Sequence, residues 1–230
     1  MTLDHSRIKG ICFDIDGTLS DTDDLVVNKL VRWLSPLQLF SGIDKAKLAR
    51  RLVMAAETPG TALYSIPDRL HLDDELAWLM EKMTRWANKK HHFLLMPGVR
   101  DLLQSLVEIY PMVIVTARET HAAEHFLHQF DLLPFFRHVI SGQSCVHTKP
   151  YPDPILHSAQ LLGYLPGNLL MVGDTIVDIL SARRAGAQSV GVLCGFGEEM
   201  ELRRAGADLI LPTTSDLAQY LLPVNHAEQE

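Results

Sequence analysis

The chain has 230 residues, of which 47% are hydrophobic, and it carries a formal net charge of −7. Such a chain can bury a sizeable core, so the composition argues against a disordered protein. The negative charge argues against a non-specific binder of nucleic acid or of anionic membranes, because such proteins gather Lys and Arg against phosphates. A small anionic substrate would therefore need a local positive site.

The cysteines and the apolar runs narrow the class of protein further. Cys12, Cys145 and Cys194 are far apart and show no C-x-x-C spacing, so neither a disulfide framework nor a zinc cluster is indicated. The N-terminal segment lacks the long apolar run of a signal peptide, and no stretch approaches the roughly 20 apolar residues of a membrane helix. We expect a soluble cytoplasmic protein, a monomer or homodimer, with no nucleic-acid or membrane partner.

Short apolar runs that end in small or acidic residues alternate with helical patterns along most of the chain. In chain order the runs are IKGICFD, MVIVTA, RHVISG, LLMVGD, QSVGVLCG and DLILP. The helical patterns are VRDLLQSLVEI, THAAEHFLHQF, DPILHSAQLLG and TIVDILSARRAG, the last closing on Gly186, where a helix C-cap is expected. This alternation predicts an α/β fold with a doubly wound parallel sheet, which binds ligands at the carboxyl edge of its strands.

One region, from about Asp21 to Phe93, breaks this alternation. It shows helix-like patterns and no convincing strand, and it begins just after the first predicted strand. We predict that residues 21–93 form a helical cap domain, and that residues 1–20 and 94–230 together form a discontinuous α/β core. The cap would lie over the carboxyl end of the first strand, where a lid can close over a ligand.

Asp14 and Asp16, in the segment DIDGT, follow the first predicted strand directly. The two-residue period of extended chain places both carboxylates on one side. Because like charges in one site resist joint ionisation, either a cation holds them or one acid rises in pKa and can act as an acid or base. Gly17 permits the tight turn that follows. Taken alone, the pattern fits an Asx-turn or a helix cap equally well.

Three further clusters follow later predicted strands. Thr116 ends VIVTA, where its hydroxyl and the backbone N–H groups from Ala117 onward can hold phosphate or cap the next helix. Lys149 lies in a proline-rich loop and is either a fixed positive charge or an ordinary solvated lysine. Asp174 and Asp178 are one helical turn apart, so both can face one point, and such oxygen ligands suit Mg²⁺ better than Zn²⁺. All these clusters fall at the same sheet edge.

The segments DIDGTL, VIVTA, the Lys149-Pro150 loop and GDTIVD resemble the four motifs of the haloacid dehalogenase superfamily in order and spacing. The helical insertion is similar to that family's C1-type cap. In cap size and in the KPYPDP loop, the chain resembles the phosphoglycolate phosphatase and β-phosphoglucomutase-like subfamily. The resemblance implies a magnesium-dependent phosphatase that hydrolyses a small phosphorylated metabolite through an aspartyl-phosphate intermediate.

The resemblance also implies roles for individual residues. Asp14 would be the nucleophile, and Asp16 the general acid/base that protonates the leaving oxygen and then deprotonates water. The implied phosphate-binding residues are Gly17, Thr116, Ala117 and Lys149. The implied magnesium ligands are Asp14, Asp174 and Asp16, the last through its backbone carbonyl, with Asp178 in support.

Substrate choice is expected to lie in the cap. The loop AAETPGTALYS occupies the position of the family's specificity loop, so Glu57, Thr58 and Tyr64 are candidates, although an ordinary helix–helix turn fits the loop as well. Arg118 either contacts the substrate or pairs with a surface acid near Glu119. The sequence does not decide between these two roles.

Several alternative functions stay open at this point. The acid at Asp16 favours phosphate esters, because the family's dehalogenases and phosphonate-cleaving enzymes lack it. A phosphomutase of the β-phosphoglucomutase type has the same four motifs and a similar cap. A receiver-type signalling domain also gathers Asp, Thr and Lys around magnesium, but its phosphoacceptor follows a later strand and it lacks such an insertion. A non-catalytic partner-binding relative is disfavoured because all four motifs are intact.

Overall fold

The computed structural model describes residues 3–21 and 93–222. These residues contain a six-stranded sheet in which every strand pair is parallel. The strands are β1 Gly10–Phe13, β2 Met112–Val115, β3 Phe136–Ile140, β4 Leu169–Gly173, β5 Gln188–Val192 and β6 Leu209–Leu211. Each of them lies within or next to one of the six predicted runs, so the prediction of a parallel α/β sheet is confirmed.

The order of the strands in the sheet is β3-β2-β1-β4-β5-β6. From β1 the chain therefore winds outward to β3, returns past β1 to β4, and then winds outward in the other direction. The strand that follows β1 lies on one side of the β1–β4 pair and the strand that follows β4 lies on the other, so the crevice at this pair is the topological switch point at which such sheets bind ligands. The site is expected where β1 and β4 end.

Helices connect the strands. They are α1 Val99–Leu106, α2 Thr120–Gln129, α3 Asp153–Leu162, α4 Ile176–Ala185, α5 Glu199–Ala205 and the single turn α6 Ala218–Leu221. The first four confirm predicted helices, and Gly186 closes α4 in the left-handed conformation with φ 78°, as a C-cap glycine does. The pattern VRDLLQSLVEI overestimates α1, which ends at Leu106. The short helices α5 and α6 were not predicted.

The core lies where the central strands pack against the helices. On one side of the sheet, Cys12 of β1 and Val113 of β2 pack with Ile155 and Ala159 of α3 and with Ala182 of α4. All residues of β1, β2, β4 and β5 are buried, which explains why these strands read as continuous apolar runs rather than alternating ones. Each large apolar side chain buried in this way contributes about 1.5–3 kcal/mol.

All three cysteines lie in the described parts of the chain, and all are free thiols. Cys12 is fully buried, and burial raises the pKa of its thiol to about 12, so it behaves as an apolar core residue. Across residues 3–21 and 93–222, no helix has the length and apolar character needed to cross a membrane. The predicted cap falls almost entirely on residues 22–92, which lie outside the described residues.

Candidate active site

The carboxyl ends of β1 and β4 bring two of the four motifs together. Asp14 follows β1, and its backbone N–H donates to the carbonyl of Val172 in β4 at 3.0 Å. Asp174 follows β4 directly, so the parallel register places the two acids side by side at the switch point. Gly17 then turns the chain with φ 69°, a conformation that favours glycine.

Three carboxylates converge at this point. Asp14, Asp174 and Asp178 are buried, and each offers an oxygen that lies within 4.8 Å of the others. Asp174 and Asp178 meet as the one-turn spacing predicted. The carboxylate of Asp16 is not part of this group of three, and the proposed metal contact of Asp16 through its backbone carbonyl stays a prediction.

Lys149 provides the positive charge for this cluster. Its ammonium lies 2.8 Å from Asp14 Oδ1 and 2.6 Å from Asp178 Oδ1, and it also donates to the carbonyl of Val115 at 3.1 Å. These contacts engage all three N–H donors of the lysine. The side chain is 3% exposed, so the alternative of an ordinary solvated lysine is wrong. Phosphate binding by Lys149 stays a prediction.

Burial and charge act in opposite directions on this cluster. Burial raises the pKa of Asp14 to about 7, an effect that the Lys149 ammonium offsets in part and that the charges of Asp178 and Asp16 reinforce. The pKa of Lys149 is raised, because its attraction to Asp14 and Asp178 outweighs its own burial. The ammonium therefore stays protonated, whereas the Asp14 carboxyl group gains or loses its proton near neutral pH.

Asp174 is held by the loop that follows β5. The backbone N–H of Phe196 donates to Asp174 Oδ2 at 2.8 Å. The flanking residues approach so closely that a Cβ at Gly195 would lie 2.2 Å from Asp174 Oδ2, and one at Gly197 would lie 1.9 Å from the Asp174 carbonyl oxygen. A Cβ at Gly17, on the β1 side, would lie 2.3 Å from the same carboxylate oxygen. Only glycine fits at these positions, because the backbone itself encloses the acid.

Asp178 is fixed by a capping box at the start of α4. Its Oδ2 accepts from the backbone N–H of Thr175 at 3.1 Å and from the Thr175 hydroxyl at 2.6 Å. Its Oδ1 faces Lys149. Because both oxygens are engaged by protein donors, Asp178 helps to orient Lys149, while its support of a metal site stays a prediction.

Thr116 and Ala117 lie at the end of β2, next to the cluster in the sheet. Thr116 is buried, and its hydroxyl accepts the backbone N–H of Arg118 at 3.2 Å, whereas Ala117 is exposed. The N-cap of α2 is Glu119, so the alternative of Thr116 as the cap of the next helix is wrong. No phosphate contact of Thr116, Ala117 or Gly17 is tested by the structure, and these assignments stay predictions.

Arg118 pairs with Asp16, a partner that the sequence did not suggest. Its Nε donates to Asp16 Oδ2 at 2.6 Å, and its Nη2 makes a short contact with Asp16 Oδ1. The sequence left open a contact with substrate or a pair with a surface acid near Glu119; the contact described here is to Asp16, and it bridges the β1 and β2 loops inside the site. A basic residue directly after VIVTA was the available signal, since both segments end at the same sheet edge.

The predicted cap candidates Glu57, Thr58 and Tyr64 lie outside the described residues. Their roles in substrate choice therefore stay predictions.

Comparisons with known proteins concern the family and the fold of the chain. The family model described as haloacid dehalogenase-like hydrolase matches residues 11–192. A phosphoglycolate phosphatase from Shigella boydii is 29% identical over 97% of this chain and 96% of its own length. A haloacid dehalogenase-like family hydrolase from Streptococcus pneumoniae superposes with a TM-score of 0.70 at 25% identity, covering 94% of this chain and 99% of that one.

A candidate β-phosphoglucomutase from Thermotoga maritima superposes with a TM-score of 0.64, covering 93% of this chain and 98% of that one. At 20% identity this likeness shows the fold alone. The sheet and its flanking helices are thus shared with phosphatases and with a mutase-like protein.

Proposed function

Because the chain belongs to the haloacid dehalogenase-like hydrolase family, we propose that it is a magnesium-dependent phosphatase that works through an aspartyl-phosphate on Asp14. The prediction of an enzyme of this family is confirmed, and the likeness to phosphatases supports a phosphohydrolase. The observation that carries the proposal is the buried group of Asp14, Asp174 and Asp178, held by Lys149 at the ends of β1 and β4.

The residues at this point fit a magnesium ion. Each member of the group offers a hard carboxylate oxygen, and the group contains no His or Cys. The donors already on these acids, Lys149 and the N–H of Phe196, fix their orientation as supporting hydrogen bonds do around metal ligands. We assign Asp14 and Asp174 as ligands, with the Asp16 carbonyl, and Asp178 as their support. When bound, the ion would polarise the phosphoryl group and offset the negative charge of the site.

The chain's own residues would then carry out two half-reactions. In the first, an oxygen of the Asp14 carboxylate attacks phosphorus, the bond to the ester oxygen breaks, and that oxygen leaves with a proton from Asp16. In the second, Asp16 takes a proton from the water that attacks the aspartyl-phosphate, which releases phosphate and restores Asp14. The positive charge of Lys149 and the loop at Thr116 would stabilise the equatorial phosphoryl oxygens, where transition-state charge accumulates.

For the substrate we propose a small phosphorylated metabolite, with 2-phosphoglycolate as the first candidate. The support is the named activity of the Shigella boydii relative, which aligns with this chain over nearly its whole length. At 29% identity, related phosphate esters are candidates as well.

The experiment is a panel of phosphorylated metabolites assayed with Mg²⁺ for release of inorganic phosphate. We expect turnover of 2-phosphoglycolate or another small monoester that disappears when EDTA removes the metal. Transfer of the phosphoryl group to a sugar without release of phosphate would instead identify a mutase. Absence of turnover across the panel and on p-nitrophenyl phosphate would contradict the proposal and favour a non-catalytic relative.

A further inference from the structure

The guanidinium of Arg118 joins the loops that follow β1 and β2. Its Nε donates to Asp16 Oδ2 at 2.6 Å, while its Nη2 contacts Oδ1 of the same carboxylate. Two parallel N–H donors on two oxygens fix both the distance and the plane of a carboxylate, which a lysine ammonium cannot do. The pair therefore fixes the orientation of the Asp16 carboxylate and places a positive charge beside it.

Arg118 is itself restrained by its surroundings. Its backbone N–H donates to Thr116 Oγ1 at 3.2 Å, and its guanidinium carbon lies 5.5 Å from the ring centroid of Phe126. Phe126 is fully buried in α2, and the arginine side chain is only 12% exposed. A long side chain with these contacts keeps one conformation more readily than a solvated arginine does.

Among the described residues, different cations contact different acids of the site. Lys149 contacts Asp14 and Asp178, and Arg118 contacts Asp16. Asp16 stands only two residues from Asp14, so without a neighbouring cation the two carboxylates would repel each other. Arg118 thus keeps the carboxylate of Asp16 in place beside the nucleophile.

We propose that Arg118 is a positioning residue that holds Asp16 in the orientation needed for proton transfer, an inference that rests on the proposed phosphatase function. A carboxylate has about four acceptor positions, and the arginine fork occupies two of them, so a proton can still be exchanged at the others. Arg118 acts through Asp16 and does not itself contact the reacting phosphoryl group.

The first test uses the leaving group. p-Nitrophenolate departs without a proton, whereas the alkoxide of glycerol 2-phosphate needs one, so only the second substrate depends on Asp16 in the first half-reaction. In Arg118→Met we expect kcat/KM for glycerol 2-phosphate to fall about tenfold or more, and kcat/KM for p-nitrophenyl phosphate to fall less than about threefold. Because both values come from one sample, a loss of folded protein cancels from their ratio.

The second test is a double-mutant cycle. In an Asp16→Asn background, adding Arg118→Met should lower kcat/KM for glycerol 2-phosphate by less than about twofold, because the group through which Arg118 acts is already lost. Arg203→Met is the matched control, since Arg203 makes an arginine–carboxylate pair with Glu199 on exposed α5, and it should leave both substrates unchanged.

An equal fall for both substrates, or an undiminished effect in the Asp16→Asn background, would overturn the inference. Either result would mean that Arg118 acts on the phosphoryl group or on the fold. A wild-type protein that hydrolyses neither substrate with Mg²⁺ would instead overturn the proposed function on which the inference rests. The two failures are thus distinguished by the wild-type measurement alone.

Discussion

Lys149 is the residue that makes the acidic site compatible with burial. Carboxylates removed from water are stable only when charges and hydrogen bonds replace their hydration, and here one ammonium serves both Asp14 and Asp178. The same ammonium contacts Oδ1 of Asp14, the proposed nucleophile. Under the proposed function, stability and catalysis would both depend on this one side chain.

Replacing Lys149 with Met should destabilise the metal-free protein strongly. Removing one partner leaves two buried carboxylates without their cation, and such losses lower the unfolding free energy by about 3–5 kcal/mol. Urea unfolding of the variant measures the change, with Lys9→Met as an exposed-lysine control that should shift it by less than about 0.5 kcal/mol. Mg²⁺ should recover part of the loss. A variant as stable as wild type without metal would contradict the assigned role.

Asp14 links the metal site to pH. Because burial raises its pKa from 3.8 to about 7, the folded metal-free protein binds more protons than the unfolded chain between these values. This group's contribution to stability therefore decreases as the pH rises through that window, and it is most favourable at the acidic end. A bound cation would favour the ionised form and offset this decrease.

Magnesium affinity should consequently depend on pH. Below about 7, binding must release the proton of Asp14, so the apparent association constant should fall about tenfold for each pH unit. Calorimetric titration with Mg²⁺ at several pH values measures this slope, and Asp14→Asn should abolish it. A Mg²⁺ affinity that does not change between pH 3.8 and about 7 would contradict the assignment of Asp14 as a ligand.

At the scale of elements, the turn from β4 into α4 performs two tasks. The capping box of Thr175 and Asp178 satisfies donors at the start of the helix, and it also fixes the acid that faces Lys149. A second capping box, of Thr213 and Asp216, is exposed and lies in another turn. The two boxes allow the helix-capping task to be separated from the site.

Thr175→Ala and Thr213→Ala should each lower the unfolding free energy by about 1 kcal/mol, the usual effect of losing a cap. Only Thr175→Ala should also weaken Mg²⁺ binding, by about tenfold, because Asp178 Oδ2 loses the hydroxyl donor and keeps only the backbone N–H of residue 175. Thermal unfolding and calorimetric titration measure the two effects. Equal Mg²⁺ affinities in the two variants would show that Asp178 is held by other contacts.

The strands were predictable because buried parallel strands leave continuous apolar runs in the sequence. The helix α5 was not, since it has seven residues and buries only Leu202 and Ala205, too few for a period to emerge. The extent of α1 was overestimated because the apolar residues Val107 and Ile109 continue the pattern after the helix ends. In both cases the apolar residues do not mark the length of the helix that the backbone hydrogen bonds define.

Prediction of the site divides along the same lines. Asp14 and Asp174 were found because they end strands that the topology makes neighbours. The Arg118–Asp16 pair was not, since the partner of a long side chain depends on its packing in three dimensions. The N–H of Phe196 leaves no sequence signal at all, because every residue except proline has that donor.

At the scale of the whole molecule, the chain and its site are both acidic. The chain has a net charge of −7, and within residues 3–21 and 93–222 the site contains four carboxylates and the cations Lys149 and Arg118. An anionic phosphate ester would approach such a site against repulsion unless a divalent cation were bound. The charge balance of the described residues is therefore consistent with the proposed magnesium ion.

The central claim is that Asp14 carries the phosphoryl group during turnover. The most direct test is the intact mass of protein that is quenched while it turns over p-nitrophenyl phosphate with Mg²⁺. We expect one added phosphoryl group in wild type and a larger phosphorylated fraction in Asp16→Asn, because dephosphorylation is slowed in that variant. Asp14→Asn should show no added phosphoryl group, and its turnover should fall by at least about a thousandfold. Full turnover by Asp14→Asn, or a phosphoryl group that persists in that variant, would contradict the claim.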